Sequence, residues 1–200
     1  MNKQIFKGLL LIVATTMLVS CGKVPQAEID QAKTAIEAAE ASGASLYVPD
    51  AFAVVQDSMN SVLESIEVEK SKFFRNYSDA KEALVGLATM AGEVKAKSEA
   101  RQEELKAEIQ TKLANVQALI DEDKQLLTKA PKGKEGTAAL TAIKNEITVI
   151  EGSVAEAKTM FEGGELIATV DKLNVAIEQA TAINTELKEV IAKYTKAKGK

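Results

Sequence analysis

The amino-acid sequence predicts an all-α protein, an elongated antiparallel helical bundle of two hairpins that share one long helix with coiled-coil-like packing. Three observations support this fold class. Alanine, glutamate, lysine and leucine carry much of the chain, a composition typical of long helices. Proline occurs only at positions 25, 49 and 131. Apolar residues recur at three- and four-residue steps, the spacing of one helix face, and no segment reads convincingly as a strand.

The first 20 residues have the three parts of a secretory signal peptide. Lys3 and Lys7 give a positive start, residues 9–18 form an apolar run, and Val19 and Ser20 are small residues before a cleavage point. A transmembrane helix needs about 20 apolar residues, and this run is shorter. We therefore predict that residues 1–20 are removed.

The only cysteine of the chain follows this segment directly. Leu18-Val19-Ser20-Cys21 resembles the lipobox of bacterial lipoproteins, in which the cysteine thiol takes a diacylglyceryl group and its new amino group is often acylated, for example with palmitate. More than one acyl chain is needed for stable anchoring. The resemblance implies a membrane anchor at Cys21, in the cell envelope. In that family an aspartate after the cysteine favours inner-membrane retention, so by the same resemblance Gly22 favours the outer membrane, if the cell has one. The alternative is a secreted protein with a free thiol.

Composition restricts the function of the mature chain. Removal of the signal peptide leaves 23 basic and 29 acidic residues, a net charge of −6 against −4 for the full sequence. An acidic chain has no general attraction for nucleic acid. The sequence has no histidine, and its only thiol is expected to be lipidated, so the usual nucleophile–base pairs lack their parts. We predict no catalytic residues, no cofactor and no metal site.

Residues 21–26 form a short lipidated tether before an N-terminal hairpin region, residues 27–104. The first helix is predicted over 27–41, and Gly43 ends it. The second helix is predicted over 49–74, and its apolar seam is Phe52, Val55, Met59, Val62, Ile66, Glu69 and Phe73.

Ser78 is predicted to cap a third, long helix. Residues 95–104 contain no large apolar residue, but they also contain no glycine or proline, so the helix should continue through them with a solvated middle. Its apolar spacing resumes at Leu105 and lasts to Leu127. Neighbouring side chains point about 100° apart on a helix, so the acidic run 121–123 cannot converge into a site and is predicted to be solvated.

The C-terminal bundle region, residues 105–200, continues after a loop at 130–136. Thr137 is predicted to cap a fourth helix, which Gly163 and Gly164 end. The fifth helix carries an apolar seam in which Asn184 is the polar member that sets register. Either the seams bury one another, or the fifth-helix seam stays open as a partner face formed by Leu166, Val170, Leu173, Ile177, Asn184, Leu187 and Ile191.

Residues 38–50, with Tyr77 to Ala80 and then Ala83-Leu84, are similar to an uncharacterised alanine-rich helical domain of bacterial envelope lipoproteins. The shared pattern is a helix, a Tyr-x-Pro step at Tyr47 to Pro49, a second helix and a Tyr-x-x-Ala helix start. It covers about a third of the chain. That family has no assigned activity, so the resemblance implies a helical envelope protein and no catalytic residue.

These observations predict a lipid-anchored, non-enzymatic scaffold or adaptor that binds another envelope protein through a helical surface. Two alternatives stay open: a carrier that holds an apolar ligand in the bundle, and a spacer that contacts peptidoglycan. A heptad seam also permits homo-oligomers.

Overall fold

The computed structural model describes residues 22–131 and 136–198, so the predicted lipobox residues Leu18, Val19, Ser20 and Cys21 lie outside it. Its helices are α1 (Gln26–Ala41), α2 (Ala44–Tyr47), α3 (Pro49–Ser71), α4 (Ser78–Lys129), α5 (Gly136–Glu162) and α6 (Leu166–Lys198). The residues in these two ranges contain no β-strand. The prediction of an all-α helical bundle is confirmed.

The chain forms two compact units that divide between Arg101 and Gln102, three residues before the boundary predicted after position 104. Helix α4 runs through this division without a break. The absence of glycine and proline from residues 95–104 explains its continuity, since either residue lowers helix stability. Each unit therefore builds its core on a different part of the same helix.

The first unit buries one face each of α1, α3 and α4. The contribution of α1 is small because it places two alanines, Ala32 and Ala39, beside Ile29 in the core. Helices α1 and α4 run parallel, since two contacts join them in the same order along both. Glu28 Oε1 lies 2.7 Å from Lys81 Nζ, and Ser98 Oγ donates a hydrogen bond to the carbonyl oxygen of Ser42 after α1.

The buried Ser98 corrects the prediction that residues 95–104 are solvated throughout. Ser98 is fully buried, and its hydroxyl lies 2.7 Å from the Ser42 oxygen. It comes four residues after the buried Val94, on the same helix face. The sequence correctly indicated the lack of large apolar residues, but not the small polar residue that occupies a core position.

The end of α3 differs from the prediction. The helix ends at Ser71, and Lys72 has extended backbone dihedrals, φ −79° and ψ 149°. Phe73, expected in the seam, therefore leaves the helix face and is 92% exposed. The prediction that Ser78 caps α4 is also wrong: the Ser78 N–H donates to Asn76 Oδ1, and the Tyr77 carbonyl accepts the first helical bond.

The second unit packs the later part of α4 against α5 and α6. Polar contacts join α4 to both partners: Lys124 Nζ lies 2.6 Å from Glu151 Oε1 on α5, and Lys112 Nζ donates to Asn174 Oδ1 on α6. Its buried apolar side chains include those of Leu105, Ile109, Val116, Ile120, Ile143, Ile147, Ile150, Val154, Leu166, Val170, Leu173, Ile183 and Leu187. Thr137 lies in the first turn of α5 rather than before it.

Two glycines make the sharp turns, as predicted. Gly43 and Gly164 have φ of 77° and 81°, in the left-handed region that favours glycine. After α5, the Glu165 N–H bonds to the Met160 carbonyl and the Gly164 N–H to the Phe161 carbonyl, the pair of bonds of a Schellman motif.

Alanine at these glycines should destabilise the protein to different degrees. Gly164→Ala meets no atom within 4 Å, so we expect a loss of about 1 kcal/mol from the backbone alone. Gly43→Ala should cost more, about 2 kcal/mol or above, because its Cβ would lie 2.9 Å from the Tyr47 ring. Urea unfolding followed by circular dichroism measures both. Gly163→Ala, which has no left-handed φ, is the control, and equal losses at positions 43 and 164 would contradict this account.

Candidate functional site

A buried polar pair joins α4 to α6 in the core of the second unit. Asn184 Nδ2 donates a hydrogen bond to Asp123 Oδ1 at 2.8 Å. Asp123 is fully buried and Asn184 is 7% exposed. The other carboxylate oxygen, Asp123 Oδ2, is also buried, and no hydrogen-bond partner for it exists among the residues that the structure describes.

The prediction that residues 121–123 are solvated is wrong for Asp123. This residue comes three positions after the buried Ile120, so it occupies the next position of the α4 seam. Asp121 and Glu122 point away from that position and stay outside the core. The sequence feature that could have identified Asp123 as buried is the gap in the apolar pattern between Ile120 and Leu127, because a seam position must fall within that gap.

Burial raises the pKa of Asp123. The hydrogen bond from Asn184 opposes this shift, the negative charge of Glu122 adds to it, and the positive charge of Lys188 opposes it. Glu122 itself lies 2.9 Å from Lys188 Nζ, and that contact lowers the pKa of Glu122. An exposed ion pair thus lies beside the buried pair, and both connect α4 to α6.

The pair suits a structural role better than a chemical one. Its two members are held to each other, and the hydrogen bond can form only in one register of α4 against α6. No group of three His, Cys, Asp or Glu residues is placed to hold a metal ion within the described ranges. The sequence predicted the polar seam position of Asn184, whereas its partner was missed.

The predicted partner face on the fifth helix is largely covered by the chain itself. Four of its apolar members are buried and two are partly buried. The buried ones are Leu166, Val170, Leu173 and Leu187, and the partly buried ones are Ile177 and Ile191. A partner could therefore contact this seam only after the second unit opened.

An open groove between α5 and α6 is the more accessible apolar surface. We call it the α5–α6 groove; it has a volume of about 380 Å³ and is lined by Asn145, Glu146, Val149, Ile150, Gln179, Ala182, Ile183 and Glu186. Val149 is 65% exposed. Its apolar side chain lies next to Ile150 in sequence but outside the α5 seam, which is why the seam pattern did not indicate it.

The surroundings of the α5–α6 groove are acidic. Glu146 and Glu186 line the groove itself, and Glu178 and Glu189 line the neighbouring shallow surface of α6. A ligand that fits this surface would combine apolar groups with positive charges, since complementary charge favours the correct partner.

The structure contains no helix, within its described residues, that is long and apolar enough to cross a membrane.

The raised pKa of Asp123 predicts a pH effect that Asp123→Asn should remove. The folded state binds the Asp123 proton more tightly than the unfolded chain does. The resulting stability is fully present below the pKa of Asp123 in the unfolded chain, and it is lost as the pH rises through the higher pKa of the folded state. We expect the stability of Asp123→Asn relative to the native chain to rise as the pH increases above about 4, the ordinary pKa of an aspartate. Urea unfolding at several pH values measures this difference, with the exposed Asp121→Asn as control. A difference that does not change with pH would contradict it.

Replacing only Asn184 should lower the free energy of unfolding more than replacing both Asp123 and Asn184. Asn184→Leu leaves both oxygens of the buried Asp123 without a partner, for an expected loss of about 1–3 kcal/mol. Asp123→Leu with Asn184→Leu keeps the shape of the two side chains and removes the buried polar atoms, so it should recover most of that loss. The unfolding free energies of the single and double variants test this, and additive losses would refute the pairing.

Comparison of the chain with protein-family models, with curated proteins and with solved structures finds no match. The resemblance to bacterial envelope lipoproteins at residues 18–21 and 38–84 therefore stays a prediction from the sequence.

Proposed function

We propose that this protein is a lipid-anchored, non-enzymatic scaffold of the bacterial cell envelope. The observation that carries the proposal is that a lipobox, Leu18-Val19-Ser20-Cys21, is followed within a few residues by a helical bundle. Helix α1 begins at Gln26, so only four residues separate it from Cys21. Four residues span at most about 14 Å, which keeps the bundle near the membrane that the acyl chains enter.

The partner surface that we propose is the α5–α6 groove rather than the fifth-helix seam. The groove is open, whereas the seam is occupied by the core of the second unit. An apolar lining that includes Val149, with carboxylates at Glu146 and Glu186, fits an amphipathic helix with basic residues. The proposed partner is thus a second envelope protein that presents such a helix.

Of the two alternatives, the carrier has less support than the scaffold. A carrier encloses most of its ligand in a cavity. The α5–α6 groove and the groove between α1 and α3 both open to the solvent. For the peptidoglycan spacer, a basic surface near the C-terminus would be the natural contact with an acidic polymer, and Lys188 on α6 is paired with Glu122 instead.

Site-specific photocrosslinking in cells tests the scaffold proposal. With a photoreactive amino acid at Val149, we expect a crosslink to one discrete envelope protein. The yield should fall when Glu146 and Glu186 are both replaced by lysine, because the charges would then repel a basic helix. It should also fall with Cys21→Ser, which removes the proposed anchor.

The same photoreactive amino acid at Val54 is the matched control, since Val54 is also an exposed valine on a helix but belongs to the first unit. Equal crosslinking from both positions, or crosslinks only to a second copy of the chain or to peptidoglycan, would overturn the proposed partner surface.

A further inference from the structure

Two adjacent aromatic side chains project from the loop 72–77 between α3 and α4. Phe73 is 92% exposed and Phe74 is 85% exposed, and their rings pack edge to face with centroids 5.0 Å apart. Single exposed apolar residues are ordinary. Two neighbouring phenylalanines that are almost fully exposed leave an apolar surface without cover, and such surfaces mark interaction sites.

This loop lies at the end of the first unit from which the chain leads back to Cys21. Helices α1 and α4 are parallel, and the ion pair of Glu28 with Lys81 joins their first turns. Residues 23–25, which precede α1, line one groove together with Tyr77. Phe74 is three residues from Tyr77, a length of chain that spans at most about 10 Å.

Arg75 in the loop and Lys23 at the same end of the first unit suit lipid headgroups. The acidic Glu69 beside the loop is paired with Lys72. Lys23 and Arg75 are exposed, and neither forms an ion pair with another residue in the described part of the chain. Long basic side chains can reach headgroup phosphates while neighbouring apolar groups lie deeper. A surface of aromatic residues beside basic ones is typical of segments that lie in a membrane interface.

We propose that Phe73 and Phe74 insert into the same bilayer that holds the acyl chains of Cys21. This inference rests on the proposed lipid anchor and adds a second, protein-based contact with the membrane. Two points of attachment would fix the orientation of the first unit, with the loop 72–77 at the lipid surface. The first turn of α3 would then lie at the opposite end of the first unit, away from the bilayer, because α3 ends at the loop 72–77.

The native chain contains no tryptophan, so a single introduced tryptophan reports on its own surroundings. We would prepare the lipidated full-length protein with Phe74→Trp and reconstitute it in phosphatidylcholine vesicles, with and without dibrominated acyl chains that quench tryptophan. We expect a shift of the emission to shorter wavelength and a loss of fluorescence in the brominated vesicles.

Val54→Trp is the matched control. Val54 is also exposed on the first unit, but it lies 17 residues before the end of α3, a helical distance of about 26 Å. Its emission should stay unshifted and unquenched. Quenching at both positions would show that the unit lies flat on the membrane and would overturn the proposed orientation.

Mass spectrometry of the same preparations separates this inference from the proposed function. If Cys21 carries the acyl groups and the tryptophan at position 74 is neither shifted nor quenched, the insertion of the loop is refuted while the lipid anchor holds. If Cys21 carries no acyl group, the proposed function fails, and the inference that rests on it fails too.

Discussion

The continuity of α4 is the constraint on which both cores depend. One helix of 52 residues must present an apolar face to α1 and α3 in the first unit and to α5 and α6 in the second. A helix interior tolerates no proline and is weakened by glycine, and the only glycines of α4, Gly86 and Gly92, lie on its exposed side. Spacing at three- and four-residue steps keeps the buried positions on the correct face in each unit.

The two polar residues that α4 buries each form a hydrogen bond that specifies how helices meet. Ser98 donates to the carbonyl oxygen of Ser42 in the first unit, and Asp123 accepts from Asn184 in the second. An unpaired buried polar group costs about 1–3 kcal/mol, so a shift of register that breaks either bond is disfavoured. An apolar seam of leucine, isoleucine and valine alone would permit such shifts more easily. Buried polar residues at seam positions thus serve specificity more than stability.

The sequence predicted the helices well because periodicity and chain breakers are local properties. It located the turns at Gly43 and Gly164, whose positive φ requires glycine, and it predicted the continuity of α4. The sequence-based prediction of burial failed where the position of a residue in its helix matters more than its residue type. Asp123 was assigned to the surface as a member of the acidic run 121–123, although its place in the repeat is a core position. Phe73 was assigned to the core because it continues a repeat, although α3 ends before it.

The α5–α6 groove could not be predicted at all, because it depends on how the faces of two helices meet. As a binding surface, the groove has an energetic advantage over the fifth-helix seam. To use the fifth-helix seam, a partner would first expose buried side chains such as Leu173 and Leu187, at about 1.5–3 kcal/mol for each. Contact with Val149 requires no such opening, since that side chain is already exposed. The native bundle can therefore offer the groove to a partner while its core and its buried Asp123–Asn184 pair stay intact, so binding and stability need not compete for the same residues.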